Sequence, residues 1–286
     1  MATTLRLALA QISPVLGDVE ANLELHLAQA AAAAEQGVEL LVFPELSLTG
    51  YLLREQASEV GLPAGDDGPL WRALRQASRQ LDLVVGFVER DRRQQFRIAS
   101  AYLSQGALRH VHRKVYLPTY GIFEEGRYFG HGNAVRAFDS RFGRLGLLIC
   151  EDFWHVSAPY LLWLDGADIL VLTSASPARP LAGGQPSDSA RWVERVNQAY
   201  ACLFTNFVIH CNRVGREEGV AFWGGSAVYD PSGRLLAQGP YFKEALVVAD
   251  LDLAELRPAR VRLPLLRDER LALTRRELER IIEQGE

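Results

Sequence analysis

Short apolar runs that alternate with helical segments are the feature that most constrains the fold of this chain. The runs have lengths typical of buried strands and cover 5–12, 39–44, 81–90, 168–174 and 207–212. The segments between them have the apolar spacing of helices and cover 18–37, about 70–80 and 187–203. Strands that alternate with helices in this way predict an α/β protein.

Residues that favour helix or strand ends mark the limits of these elements. Asp18 is the expected N-cap of the first helix, and Gly37 is its expected stop. Ser187 or Asp188 is expected to cap the third helix, and Pro44 ends the second strand. These signals support the same order of elements as the apolar pattern.

Turn signals predict that some neighbouring strands run antiparallel. The stretch 97–114 has the pattern of two strands joined across 105–106, and 224–239 that of two strands joined across 230–233. Another pair of apolar runs flanks 141–143. Because hairpins join antiparallel strands and helical crossovers join parallel ones, we predict mixed sheets with helices packed outside.

Length and composition predict one domain over 1–286. The chain is 48% hydrophobic and 23% charged, which is ordinary for a globular protein, and it contains no repeat and no long linker. The tail, about 265–286, contains an amphipathic helix over 267–284. We expect its apolar face to cover this subunit or a partner.

Charge and targeting signals exclude several classes of function. A net charge of −4 gives no electrostatic reason to expect binding to nucleic acid or to an anionic membrane. The first residues lack a signal-peptide pattern, and no apolar run approaches the roughly 18 residues of a membrane helix. The three cysteines form neither a C-x-x-C pair nor an even set, so we expect a reducing compartment, the cytoplasm.

Familiar cofactor and metal signals are missing. The first strand is followed by no G-x-G-x-x-G, and the chain has no G-x-x-x-x-G-K-[ST]. His110 and His112 would share one face of a strand, but no carboxylate or cysteine stands at ligand spacing beside them. We therefore predict no cofactor and no metal.

The stretch GRLGLLICEDFWH, 143–155, places a thiol after an apolar strand and before two carboxylates. Negative charge from Glu151 and Asp152 disfavours a thiolate at Cys150. Cys150 is therefore either an inert core residue, as Cys202 and Cys211 are expected to be, or it meets a cation from elsewhere in the chain.

Two other strand ends carry groups that suit a reactive thiol. Lys114 closes a strand and precedes a long loop rich in Tyr, Pro, Gly and Phe. Glu45 comes directly after the buried strand that ends in Pro44. Taken by itself, Lys114 would be interpreted as a surface charge at a strand end, and Glu45 as a solvated residue in a turn. Together with Cys150 they supply the nucleophile, base and cation that acyl transfer requires.

These three segments resemble the signature of the nitrilase superfamily, the carbon–nitrogen hydrolases. That family carries a Glu after "PE", a Lys after "RK" and a Cys before an acidic residue, in the order of Glu45, Lys114 and Cys150. The resemblance extends over nearly the whole chain. It implies a four-layer α-β-β-α sandwich with two mixed sheets, and a homodimer or higher even oligomer.

Within the superfamily, KVYLPTYGIFEEGRYF and LICEDFW most resemble the glutamine-hydrolysing domain of glutamine-dependent NAD synthetases. The resemblance implies that Glu125 orients Lys114 and the substrate, because Glu125, Phe129 and Gly132 match the family spacing E-x-x-x-F-x-x-G. Glu124, the neighbouring carboxylate, does not match. Tyr120 lies in the matched "LPTY" segment and is expected to line the pocket.

Further substrate-binding groups are expected on either side of Cys150. The backbone N–H of Glu151 is placed to stabilise an oxyanion together with Lys114. Ser176 and Pro177 match the family's "SASP" segment. Asp152 and Trp154 are expected to be structural.

The substrate stays open at this stage. The glutamine-hydrolysing domains continue after "SASP" with a Gly-Lys step and an Arg, whereas this chain has LAGGQPSD, and the Ser-Gly-Gly loop of the synthetase domain is not present. Three alternatives follow: an amidase acting on a small amide or N-carbamoyl compound, a glutaminase that supplies ammonia to a separate synthetase, or a catalytically silent dimeric interaction protein.

Overall fold

The computed structural model describes residues 3–178 and 188–285. Its strands are β1 (Thr4–Gln11), β2 (Leu40–Val42), β3 (Asp82–Arg90), β4 (Phe96–Ser104), β5 (Ala107–Arg113), β6 (Phe138–Ser140), β7 (Gly143–Ile149), β8 (Ile169–Ser174), β9 (Phe207–Asn212), β10 (Val214–Glu217), β11 (Val220–Trp223), β12 (Ala227–Tyr229), β13 (Leu235–Gln238) and β14 (Ala245–Asp252). Its helices are α1 (Val19–Glu35), α2 (Ala57–Val60), α3 (Pro69–Ala77), α4 (Glu125–Tyr128), α5 (Ser157–Leu164), α6 (Asp188–Phe204), α7 (Leu256–Arg262), α8 (Leu265–Asp268) and α9 (Leu271–Gln284).

The described strands form two six-stranded mixed sheets and one small hairpin. The first sheet has the order β14-β1-β2-β3-β4-β5, and the second has the order β13-β12-β9-β8-β7-β6. Parallel pairing joins β1, β2 and β3 in the first sheet and β7, β8 and β9 in the second, while the outer strands pair antiparallel. The β10–β11 hairpin stands apart from both sheets.

Apolar side chains divide the molecule into four layers. One cluster fills the space between the sheets and joins residues of β1 and β2 to residues of β7, β8 and β9. A second packs α1 and α3 on the outer face of the first sheet, and a third packs α5 and α6 on the outer face of the second. The predicted α/β four-layer α-β-β-α sandwich is therefore confirmed.

Several local predictions are also confirmed. The Asp18 side chain accepts a hydrogen bond from the Ala21 N–H at 3.0 Å and caps α1. β4 and β5 form the expected hairpin, and both turn residues, Gln105 and Gly106, have positive φ, as a tight two-residue hairpin turn requires. Asp188, one of the two expected caps of the third helix, is the first residue of α6 itself, and the alternative cap Ser187 lies outside the described residues.

Other elements were missed or placed differently. The β10–β11 hairpin, strand β14 and helix α5 were not predicted, and of these β14 pairs with a strand distant in sequence, β1. The expected tail helix over 267–284 is instead split into α8 and α9, and the whole length of α9 is exposed or half-buried. In the described part of the chain, no helix is long and apolar enough to cross a membrane.

Candidate active site

The carboxyl ends of strands from both sheets meet at one edge of the sandwich. Glu45 follows β2, Lys114 follows β5, and Cys150 follows β7. Glu45 and Lys114 are buried, whereas Cys150 is partly exposed. The structure brings together the three residues selected from the sequence. Lys114 donates a hydrogen bond to Glu45, and both are close enough for their charges to shift the pKa of the Cys150 thiol.

Lys114 lies between two carboxylates. Its Nζ donates to Glu45 Oε1 at 2.8 Å and to Glu125 Oε1 at 2.7 Å. Burial alone lowers the pKa of Lys114, but the negative charges of Glu125 and Glu45 outweigh it and raise that pKa well above its usual value. The ammonium therefore stays charged in the interior of the protein.

The second oxygen of Glu45 is fixed by the other sheet. Glu45 Oε2 accepts a hydrogen bond from the backbone N–H of Ala175, which follows β8, at 2.8 Å. Both carboxylate oxygens thus have partners, and the side chain is held in one orientation.

Glu125 is buried at the start of α4, where its carboxylate is only half satisfied. Its Oε1 accepts from Lys114 and also from the Tyr51 hydroxyl at 2.5 Å. Its Oε2 is buried and has no hydrogen-bond partner among the residues that the structure describes. Burial and, less strongly, the charge of Glu45 raise the pKa of Glu125 to about 7, against the opposing effect of Lys114. Tyr51 was not selected from the sequence, since it is 74 positions from Glu125 and no motif connects them.

Cys150 occupies a strained position at the end of β7. Its φ of +44° is in the left-handed region, which is unfavourable for a residue with a side chain. The residue begins a 3-10 turn (Cys150–Phe153), so the N–H groups of its first residues have no partner within the turn. Such a turn leaves backbone donors without a partner in the turn right beside the thiol.

The environment of the thiol is predominantly anionic. Burial raises the pKa of Cys150, the charge of Glu45 raises it further, and Lys114 acts in the opposite direction without reversing the shift. The positive partner expected from the sequence is present, yet the resting side chain is a thiol and not a thiolate.

Glu151 and Tyr120 lie together beside Cys150. The Tyr120 hydroxyl donates to Glu151 Oε2 at 2.8 Å, and His155 Nε2 lies 3.6 Å from Glu151 Oε1. Glu151 is buried, whereas 58% of Tyr120 is exposed. The pair therefore places a buried carboxylate next to Cys150, held by the hydroxyl of a largely exposed tyrosine.

Ser176 approaches the thiol from the other side. Its Oγ lies 4.0 Å from Cys150 Sγ, and its backbone N–H donates to Asn212 Oδ1 at 2.9 Å. Pro177 pairs with Phe222 of the β10–β11 hairpin. Most of the segment that departs from the family pattern, 179–187, lies outside the described residues.

Asp152 is structural, as the sequence led us to expect, and the fold shows which groups it holds. Its Oδ1 accepts from the N–H groups of Val115 and Tyr116 at 2.9 and 3.0 Å. Its Oδ2 accepts from the N–H of Ile149 at 3.0 Å and lies 2.7 Å from His112 Nε2. Burial alone raises the pKa of Asp152, but the hydrogen bond from His112 and the backbone donors reverse this and lower it.

The two strand histidines have separate environments. His112 contacts Asp152, while the ring of His110 stacks on Phe138 with centroids 4.2 Å apart. Within 3–178 and 188–285, no group of three or more His, Cys, Asp or Glu side chains is arranged to hold a metal ion.

The four-layer fold, together with a strand-end thiol beside a buried lysine, defines the class: an α/β-sandwich hydrolase of the amidase and nitrilase type. The model of one family, carbon-nitrogen hydrolase, matches residues 6–261. The chain belongs to the carbon–nitrogen hydrolase family and is an enzyme of that family.

The relatives include proteins of similar length to this chain and proteins that are much longer. The chain is 33% identical over 253 residues to the glutamine-dependent NAD(+) synthetase of Thermotoga maritima. The aligned region covers 88% of this chain and 42% of that protein. It is 28% identical over 263 residues to the probable nitrilase C965.09 of Schizosaccharomyces pombe, covering 89% of this chain and 91% of that one. The chain therefore spans less than half the length of the NAD synthetases that it matches.

A solved structure extends the likeness to an amidase. A mutant of the amidase from Nesterenkonia sp. AN1 superposes with a TM-score of 0.75 and 26% identity, over 91% of this chain and 98% of that one. That structure shows the result of Michael addition of acrylamide at the amidase's active-site cysteine.

Proposed function

We propose that this chain is a thiol-dependent amidohydrolase that cleaves a small amide through a Cys150 thioester and releases ammonia and a carboxylic acid. The observation that carries the proposal is the Lys114 ammonium, buried between Glu45 and Glu125 and acting on the Cys150 thiol. A silent interaction protein would have no use for this buried set of charges, which is costly to assemble.

Acylation begins at the protonated thiol. Glu45 takes the thiol proton as the sulfur attacks the amide carbonyl carbon, and a carbon–sulfur bond forms. Lys114 and the backbone N–H of Glu151 stabilise the oxyanion, and one such donor contributes about 3–4 kcal/mol. Glu45 then gives its proton to the amide nitrogen, the carbon–nitrogen bond breaks, and ammonia leaves.

Deacylation uses the same base. Glu45 takes a proton from water, and the resulting hydroxide attacks the thioester carbonyl. The carbon–sulfur bond breaks, the acid leaves, and the proton on Glu45 returns to the Cys150 sulfur. In sum, amide and water give acid and ammonia.

The charges around the site indicate a class of amide. The Glu151 carboxylate beside Cys150 favours a substrate with an ammonium or another donor near its scissile amide, and Tyr120 and Ser176 complete the surroundings. Glutamine fits this description, and the NAD synthetase relatives are named as glutamine-dependent, so it is the leading candidate. Glu125 Oε2, which has no partner in the described part of the chain, would accept a hydrogen bond from the amide NH₂.

Two physiological settings are compatible with this chemistry. In one, ammonia passes to a separate synthetase. In the other, the chain itself converts a small amide or an N-carbamoyl compound, and its likeness to an amidase and a probable nitrilase supports this setting.

The test is ammonia release from glutamine, asparagine, propionamide and an N-carbamoyl amino acid, with Cys150→Ala as the control. Release from glutamine that Cys150→Ala abolishes would support the glutaminase proposal. Release only from the other compounds would keep the chemistry and remove glutamine as the substrate. Equal background from both proteins on every compound would contradict the proposed function.

We also propose that the chain forms a homodimer. Helix α9 exposes a set of large apolar side chains: Leu271, Leu273, Leu278, Ile281 and Ile282. A 14-residue helix with no buried residue has little reason to be stable on its own, and a second copy would cover its apolar face. Light scattering should give twice the mass of one chain, and Leu278→Glu should reduce it. A single-chain mass for the unmodified protein would contradict the proposal.

A further inference from the structure

One buried carboxylate, Asp152, connects the segment that carries Lys114 to the turn that carries Cys150. Three of its four hydrogen-bond donors come from 112–116, on both sides of the lysine. The fourth is Ile149, immediately before the cysteine. No other contact described between these two segments uses so many donors on one group.

The pair formed by His112 and Asp152 is buried, with 3% and 0% of the two residues exposed. Because the carboxylate is ionised and accepts, His112 must donate through Nε2. A carboxylate has about four acceptor positions, and all four are filled here. In an interior of low dielectric constant, breaking any of these charge-assisted hydrogen bonds is costly.

We infer that the His112–Asp152 pair is a positioning device, which fixes the Lys114 ammonium relative to the Cys150 thiol. The inference rests on the proposed function, in which Lys114 and the thiol act on the same carbonyl group. The hydrogen bond from His112 orients Asp152 Oδ2 towards the N–H of Ile149, next to Cys150. Asp152 Oδ1 holds the backbone that directly follows Lys114. Neither side chain touches the substrate in this scheme, so both act through the groups that they hold.

The first experiment compares variants of His112 in the full chain. His112→Phe keeps a ring but removes the donor, and His112→Gln restores a donor at a similar reach. A displacement of about 1 Å at a reacting group costs about 100-fold in rate. We expect kcat on the best amide to fall about 100-fold in His112→Phe, with KM within about threefold of the wild-type value, and to recover at least about tenfold in His112→Gln.

The matched control is His110→Phe, two residues earlier on the same strand, where the ring stacks on Phe138. We expect its kcat to be unchanged. Equal losses in His110→Phe and His112→Phe, or no recovery in His112→Gln, would overturn the inference and leave a general role in strand packing.

A second readout needs no substrate turnover and covers the case in which His112→Phe fails to fold. Iodoacetamide alkylation of Cys150 is followed at pH 8 in a Cys202→Ser background, with Asp152→Asn as the variant. If Asp152→Asn only removed a negative charge, the pKa of the Cys150 thiol would fall and alkylation would be faster. Displacement of Lys114 would remove the cation that lowers the pKa of the thiol and slow alkylation.

We expect alkylation to slow by about tenfold, which corresponds to a rise of about one unit in the pKa of Cys150. An unchanged or faster rate would overturn the positioning role. If the unmodified chain hydrolyses no amide, the proposed function fails, and slower alkylation in Asp152→Asn would still support the placement of Lys114 by this pair.

Discussion

The Glu45 carboxylate, which follows β2 in one sheet, accepts a hydrogen bond at 2.8 Å from the backbone N–H of Ala175, which follows β8 in the other sheet. The contact joins the two halves of the sandwich at the point where the proposed base must face the thiol. Since Lys114 occupies the other oxygen of Glu45, the carboxylate is oriented before any substrate arrives.

Glu45→Gln should abolish turnover without unfolding the protein. The amide cannot take the thiol proton, and its NH₂ group would face either the Lys114 ammonium or the Ala175 N–H, both of which are donors. We expect kcat to fall more than about 10³-fold, measured as ammonia release from the best amide. A loss below about tenfold would show that another group is the base.

Cys150→Ala should remove turnover while the fold survives. The thiol is the proposed nucleophile, and its residue is only partly buried, so the methyl group of Ala leaves a small cavity. Circular dichroism and the melting temperature should stay close to those of the unmodified chain. The matched variant Cys202→Ala changes another partly exposed thiol and should keep full activity. Activity in Cys150→Ala above one per cent would contradict the thioester route.

Lys114→Ala should lose activity and stability together. Removal of the ammonium leaves Glu45 and Glu125 buried and facing each other without a counter-charge, and breaking a buried pair in this way costs about 3–5 kcal/mol. We expect kcat/KM to fall by several orders of magnitude and the melting temperature to drop clearly.

The control for that variant is Lys243→Ala, because Lys114 and Lys243 are the two lysines of the chain and Lys243 is exposed. It should behave as the unmodified protein. Near-normal activity in Lys114→Ala would refute the assigned role of the ammonium.

Glu125→Gln should change the pH dependence of stability. The pKa of Glu125 is raised to about 7, so between its ordinary value of about 4.5 and about 7 the folded protein keeps a proton that the unfolded chain has lost. The contribution of this carboxyl to stability is therefore complete below about pH 4.5 and is lost as the pH rises towards 7. Gln does not titrate, so the melting temperature of Glu125→Gln minus that of the unmodified protein should increase from pH 5 to pH 8.

The exposed neighbour provides the control for this measurement. Glu124→Gln should show a difference in melting temperature that does not vary with pH over the same range, since Glu124 is solvent-exposed. A constant difference for Glu125→Gln as well would mean that Glu125 does not titrate near neutral pH.

Glu151→Gln should alter which amides are cleaved. The Glu151 carboxylate is proposed to hold an ammonium group of the substrate, and a hydrogen bond to a charged partner contributes about 1.5–3 kcal/mol. We expect KM for glutamine to rise by at least about tenfold and KM for propionamide to stay unchanged.

Tyr120→Phe gives the graded comparison, because it removes only the hydroxyl that donates to Glu151 Oε2. Its effect on KM for glutamine should be smaller than that of Glu151→Gln. Equal changes in KM for glutamine and propionamide would show that Glu151 does not recognise the ammonium.

Local sequence signals were sufficient for much of the fold. The apolar runs, the Asp18 cap and the turn at Gln105–Gly106 predicted strands, a helix and a hairpin, because each depends on neighbours within a few residues. The β10–β11 hairpin and strand β14 were missed. Strand β14, residues 245–252, pairs with β1, residues 4–11, and no local pattern encodes a pairing so distant in sequence.

The sequence by itself determined the chemical groups of the candidate site: Glu45, Lys114 and Cys150, each at the end of a predicted strand. The tertiary structure decided what surrounds them. Only folding places Tyr51 against Glu125, and only folding raises the pKa of the Cys150 thiol through burial and the charge of Glu45. Residue types and strand ends follow from short-range patterns, whereas charge, burial and hydrogen-bond partners depend on which distant segments meet when the two sheets pack together.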